Sequence, residues 1–537
     1  MSAGNRRSSS ICRYVGRISP VALVALALVG SACKRRVAKM NCPPFPAVGV
    51  SLDATRESYR RGELRRQLRY REATAPGYTL QTTGITADQI KIDHNEVCAV
   101  DLYETGRILF EHAFTPQEGA PLERHRVQLG RRGGPETTSC TSCHWRGGPA
   151  GAGSVVDNSF LVGDHDRVSS GDARNPPSLA GVGVVQALAQ EMSAELAQLR
   201  ANAISVARSS GKTVEVEMVS KGVSFGTVQF TRDGRMKRGS LEGIDPDLVV
   251  RPFGWKGTSA TLAEFIAEST ALHFGITTAE TLATNAQARY PLEVAADASA
   301  ELSAGQLTAL VVYVAALDVP QVIAPMDASN QVAYLPDVWT QGRSLFETVG
   351  CASCHVPRMV LNKPVATIHS TATRSTFSLD LLRDAETPRL VRAPAGPSNG
   401  ANERTLGAGP SNGANERTLG AGPSNGANER TLGAGPAYVV ELFSDLKRHD
   451  LGAEVASLHV HGGITPRLYL TRPLWGLADS APYFHDGGAA TVDAAVLRHN
   501  GEASLAHDNW DALSHEERNA LRLYLMSLRR APRVQNP

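Results

Sequence analysis

Cys140-Thr141-Ser142-Cys143-His144 and Cys351-Ala352-Ser353-Cys354-His355 are the two stretches around which this chain is expected to fold. In a Cys-x-x-Cys-His run each part has a task. Both thiols add to the vinyl groups of a haem, and the adjoining residue sets its imidazole under the iron. A bare Cys-x-x-Cys reads equally as a zinc or thiol-disulfide site. The following histidine, the second copy and an N-terminal export signal select covalent c-type haem. Cys140, Cys143, Cys351 and Cys354 are then attachment points for two haems, and His144 and His355 the proximal iron ligands.

The flanks of the two motifs follow one plan. Leu102-Tyr103 and Ile108-Leu109-Phe110 make an apolar helical face ahead of the first motif, and Val338-Trp339 with Leu345-Phe346 do so ahead of the second. Each half closes on an apolar helix. The first runs from Gln306 to Leu317 and is stopped by Pro320. The second is opened by Ser514-His515-Glu516-Glu517, a capping box, and continues through Leu521 to Leu528. Helix, motif, long loops and terminal helix is the arrangement of cytochrome c domains. The expected fold is therefore mainly α: two cytochrome c-like domains, 86–320 and 321–537, each with one covalent c-type haem, plus loop and small β-hairpin insertions. One hairpin is expected between Lys212 and Met236, where Val214, Val216, Met218, Val223, Phe225, Val228 and Phe230 alternate around Gly222.

A length of 537 residues agrees with two domains and additional segments. Residues 1–33 read as a signal peptide. Arg6, Arg7, Arg13 and Arg17 precede an apolar run from Val21 to Val29 that is too short to span a bilayer. Gly30-Ser31-Ala32-Cys33 resembles a lipobox, with Gly30 where Leu is usual, and reads either as a lipid attachment at Cys33, the one membrane anchor expected, or as a plain cleavage site. The protein is placed in the periplasm or cell envelope. A polar, Arg-rich extension fills 34–85. Cys42 and Cys98 either pair as a disulfide in that oxidising compartment or stay as two buried thiols. Basic and acidic residues balance at 55 and 53, which excludes a nucleic-acid binder. A thirteen-residue unit, Gly-Pro-Ser-Asn-Gly-Ala-Asn-Glu-Arg-Thr-Leu-Gly-Ala, stands three times in tandem over 396–434. With one leucine per unit it cannot bury a core, and it reads as a flexible loop insertion.

A wider set of motifs resembles the bacterial di-haem oxidoreductases. This family includes the thiol oxidoreductases and is related to di-haem cytochrome c peroxidases. The motifs are Asp337 to Pro357, Ser444 to Asp450, Arg472-Pro-Leu-Trp475-Gly476, Tyr483-Phe-His485-Asp-Gly487 and His499-Asn-Gly501-Glu502; in the first half they are Arg174 to Gly183 and Asp247 to Gly257. The resemblance implies His499 as second axial ligand of the second haem, fourteen residues beyond His485 where related peroxidases have Met. It implies that Trp255 lies between the haems and helps electrons pass. Gly275 stands where those peroxidases place an acid-base glutamate, leaving His273 and Glu268 as the nearby groups able to move protons. For the sixth position of the first haem the loop residue His165 is the candidate, with His125 as another.

The function this implies is an electron-accepting second haem feeding a reactive first haem that reduces peroxide or a related oxidant. Its electron donor would be a small redox protein or a quinol-linked chain. Alternatives are a di-haem oxygenase resembling rubber-cleaving enzymes and a non-catalytic electron-transfer cytochrome. Related peroxidases also bind calcium between domains, but no calcium-liganding motif stands out here.

Overall fold

The computed structural model describes Cys42 and residues 87–94, 96–114, 137–163, 167–237, 239–284, 300–323, 336–370, 374–386, 390–393 and 436–530. The signal peptide, Cys33, most of the extension 34–85, the tandem repeats, His125 and His165 lie outside the described residues.

Two helix crossings organise the chain around its motifs. The helix Ala99–Glu111 buries Leu102, Tyr103, Ile108, Leu109 and Phe110. It crosses Ala304–Ala315, which starts at a Ser303/Gln306 capping box. The helices meet at Gly106, where a Cβ would stand 1.9 Å from the Ala309 carbonyl oxygen, so only glycine permits the approach. The same device recurs between Pro336–Thr348 and His515–Leu525. There a Cβ on Gly342 would lie 2.0 Å from the carbonyl oxygen of Ala520. The capping box at Ser514 and Glu517 opens the last helix.

The expectation of a mainly α fold is corrected. About 38% of the described residues are helical and 18% are in strands or bridges, and the strands form several small sheets. The expected hairpin is there: Val214–Ser220 pairs antiparallel with Val223–Phe230, and Met236–Lys237 adds a third strand. A second hairpin joins Val365–Ser370 to Ser375–Asp380. Met359–Leu361, Val391–Arg392 and Tyr438–Val440 form a three-stranded sheet, and two-stranded pairs join Ser159–Leu161 to Asp172–Arg174 and Arg448–Asp450 to Leu468–Leu470. Strands of two or three residues carry almost no periodic signal, whereas amphipathic helices beside the motifs carry a strong one. Reading from the helices therefore overstated the helical character.

Nor does the larger core keep to one half of the chain. Leu361, Ile368, Leu379, Val440, Leu446 and Trp475 pack into the same cluster as Leu109, Leu188, Phe225 and Val312. The long helix Val182–Ser210 makes this junction. Gln186 donates to the carbonyl of Thr367 at 2.9 Å and accepts from Leu262 N at 2.7 Å, while Gln190 pairs with both backbone groups of Thr367. A smaller cluster of Phe346, Val349, Phe443, Trp510, Leu521 and Tyr524 lies under the second motif. Cys42 and Cys98 are joined as a disulfide. No helix among the described residues is long and apolar enough to cross a membrane.

Candidate redox centres

Both motifs adopt one local geometry. A single 3-10 turn spans Cys140–Ser142 and another Cys351–Ser353. In each, the histidine N–H donates to the carbonyl of the first cysteine, at 3.0 Å for His144 and 2.9 Å for His355. None of the four cysteines is in a disulfide, and all four are half-buried.

The imidazoles are fixed by backbone carbonyls. With the proton placed on Nδ1, His144 donates to Gly151 O at 3.0 Å, His355 to Phe443 O at 3.1 Å and His499 to Ala495 O at 2.8 Å. That arrangement leaves Nε2 of each ring available to a metal, with the tautomer set by the outer partner. Burial pushes His144 and His355 down to about 4 and lowers His499 as well, so all three rings are neutral at physiological pH, as iron ligation requires.

At the second site the His355 and His499 rings approach one another edge-on, with centroids 6.5 Å apart and planes at 63°. Two imidazoles bound to opposite faces of one iron have centroids about 6 Å apart, from an iron–nitrogen bond near 2 Å and the ring radius on each side. The donor set and spacing therefore fit a haem iron. Phe484 packs against His499 at 5.3 Å, and Arg498 lies over Phe484 while pairing with Asp486.

Cys354, Asp445 and His449 gather ligand atoms within 4.8 Å of one another, which raises the zinc alternative. The geometry argues against it. His449 has one ring nitrogen 2.7 Å from Asp445 and the other 2.7 Å from Glu502. Burial works against charge on this ring, but Asp445 and Cys354 outweigh it and shift His449 upward. A protonated imidazole between two carboxylates has no lone pair for a metal. His449, Asp445 and Glu502 form a structural charge triad behind the motif. All three belong to segments singled out in the sequence, but spacing alone does not show that they meet.

Trp255 connects the surroundings of the two sites. Its Nε1 donates at 2.8 Å to Asn175 O, two residues before Pro177, whose backbone contacts His144. The Trp255 carbonyl accepts from Leu470 N at 3.0 Å. From there the chain runs through Arg472 to Leu474, which bonds to Leu442 beside Phe443. Arg472 lies over the Trp255 ring at 5.3 Å. Burial lowers this guanidinium to about 10, and among the described residues it has no hydrogen bond or ion pair. A half-buried cation with no carboxylate beside it among the described residues suits a haem propionate, which would neutralise it. Sequence reading quoted Arg472 within a motif and gave it no role.

Glu268 and His273 lie on one continuous helical segment. Leu262–Ser269 is α-helical and passes into a π-helical turn, Thr270–Phe274, capped by Gly275 in the left-handed region at φ 67°. Glu268 accepts from Ser259 Oγ at 3.1 Å. His273 is close enough to His144 to act on its charge state, and its carbonyl accepts from Thr137 N at 3.3 Å. The structure thus brings His273 to the first motif and assigns Gly275 the task of ending the helix. Such π-turns occur often at functional sites.

Residues 426–528 match the family model described as "Di-haem oxidoreductase, putative peroxidase". The match takes in Phe443, His449, Arg472 and His499 and stops short of both Cys-x-x-Cys-His motifs. No curated protein matches the chain. Among solved structures, hydrazine synthase of Kuenenia stuttgartiensis pressurised with xenon is 14% identical, with 80% of this chain and 93% of that chain covered and a TM-score of 0.31. A likeness that weak carries no argument.

Proposed function

We propose that this chain is an exported di-haem c-type oxidoreductase: His355 and His499 would hold an electron-accepting second haem, and His144 a first haem at which peroxide or a related oxidant would be reduced. The observation that carries the reading is the opposed pair His355 and His499, each with Nδ1 committed to a carbonyl and a gap between them that suits one iron. The di-haem oxidoreductase match over the segment bearing His499 supports it. Cys140 and Cys143, and Cys351 and Cys354, are the covalent anchors.

When bound, the haems supply electron storage and transfer and the binding of the oxidant. The chain supplies the rest. A bis-imidazole second site would leave no free coordination position on its haem, which suits it to electron transfer. Trp255, with Arg472 over its ring, is bonded to Asn175 on the side of His144 and to Leu470 on the side of Phe443, and is the group proposed to help electrons pass. His273, beside His144, and Glu268, one turn earlier, are the groups proposed to deliver protons to the oxidant. The Cys42–Cys98 disulfide supports residence in an oxidising compartment, consistent with export and with lipid attachment at Cys33.

The test is peroxide-dependent oxidation of a reduced small cytochrome by the holoprotein. Turnover that falls by about a hundredfold or more in the double variant His273→Ala/Glu268→Gln supports the assignment. Unchanged turnover removes both residues from it, and no turnover in the unaltered protein removes the peroxidase reading.

A further inference from the structure

An aromatic chain leads away from the first site between the helices Ala99–Glu111 and Ala304–Ala315. Phe110 packs against the His144 ring with centroids 6.2 Å apart. Tyr313 packs against Phe110 at 5.2 Å, and Tyr103 against Tyr313 at 5.2 Å. All three rings are buried. At the far end the Tyr103 hydroxyl donates to the Glu386 carboxylate. Glu386 comes from the segment that follows the strand Ser375–Asp380, and is pinned by its own N–H, which donates to Ala316 O at 2.8 Å just past the helix Ala304–Ala315.

We infer that Tyr103 is a redox-active residue, an exit relay that gives one electron to the oxidised first haem and its phenolic proton to Glu386. The inference rests on the peroxide reading for its physiological oxidant. A tyrosine yields an electron at an accessible potential when its proton leaves in the same event, so it needs a hydrogen-bonded base already in place. Glu386 is that base. Burial, with Glu386 adding to it, raises the phenol well above its ordinary value, so proton and electron have to leave together. Phe110 serves as packed contact between His144 and the tyrosines and is not itself oxidised.

The balance is simple. Peroxide takes two electrons and two protons to give two waters. When the second haem supplies fewer than two electrons, Tyr103 supplies one. Its O–H bond breaks, the proton converts the Glu386 carboxylate to the acid, and a neutral tyrosyl radical remains. One electron from the donor protein and the proton on Glu386 restore the phenol. The relay moves excess oxidising power away from His144 and Cys140 to the half-buried Glu386 end.

The experiment uses the fully oxidised holoprotein. One arm adds hydrogen peroxide; the other oxidises the haems with a flash-generated ruthenium(III) polypyridyl complex, which needs no peroxide chemistry. Both are freeze-quenched for electron paramagnetic resonance, with ring-deuterated tyrosine identifying the radical. The relay predicts a tyrosyl signal that Tyr103→Phe abolishes and that forms about a hundredfold more slowly in Glu386→Gln, a change that keeps an acceptor but removes the base. A tyrosyl signal unchanged in both variants, or none in the flash arm, overturns the relay. A signal in the flash arm alone supports the relay while removing peroxide as its oxidant.

Discussion

Arg530 and Asp318 form a buried ion pair that ties the end of the strand Leu528–Arg529 to the end of the helix Ala304–Ala315. The same guanidinium donates to the carbonyls of Gly147 at 3.1 Å and Pro149 at 3.0 Å, in the turn whose Gly151 carbonyl orients His144. Arg530→Ala removes this ion-pair partner from the buried Asp318 carboxylate, and a loss of about 3–5 kcal/mol in denaturant unfolding is expected. Below the unfolding transition, the first haem's absorption bands should shift while the second haem's stay in place. Equal shifts in both would argue against a local role.

His499→Met exchanges an imidazole for a thioether opposite His355. Thioether ligation favours the reduced iron, so the midpoint potential of the second haem should rise on the order of 100 mV, within the roughly 0.8 V that axial ligands span. His499→Ala should instead open that haem to carbon monoxide. A second haem whose potential and ligand binding ignore both changes would exclude His499 from its coordination.

Gly106→Ala and Gly342→Ala separate the two helix crossings. A Cβ at either position meets a facing carbonyl oxygen at about half a normal contact distance, 1.9 Å and 2.0 Å respectively. Each change should cost about 1–3 kcal/mol or more in thermal unfolding. Gly106→Ala should disturb chiefly the first haem's spectrum and Gly342→Ala the second's.

Asp172 gives the acid sensitivity a sign. Burial alone would raise this carboxyl, but hydrogen bonds from His461 and Leu458 N, with Arg174 nearby, hold it down to about 2. In the unfolded chain it titrates near 3.9, so its contribution is complete above that pH and is lost as pH falls from about 4 to 2. Asp172→Asn should cost roughly 2–3 kcal/mol at pH 7, and the difference should shrink across that window. A stability difference independent of pH would show that the carboxylate's charge is not what stabilises the fold.

The sequence made the chemistry easier to read than the architecture. Cys140 to His144 and Cys351 to His355 specify their own turns, and apolar periodicity beside them marks the helices that cross at Gly106 and Gly342. The carbonyl partners Gly151, Phe443 and Ala495 leave no trace in residue type, because any residue offers that oxygen. His449 between Asp445 and Glu502, and Arg472 over Trp255, depend on segments distant in sequence meeting. The hairpin 365–380 did carry a period-two pattern, with Ala366, Ile368 and Leu379 buried. Its neighbour Gln186 shows why the core crosses the halves: one side chain bridges Leu262 and Thr367, and no local pattern encodes that.

Electron paramagnetic resonance and absorption spectra of the holoprotein, recorded oxidised, half reduced and half reduced with hydrogen peroxide, test the central claim most directly. The account predicts one low-spin bis-histidine haem and a first haem that changes spectrum when peroxide is added to the half-reduced protein. Two low-spin haems that ignore peroxide at every stage would contradict it and leave an electron carrier in its place.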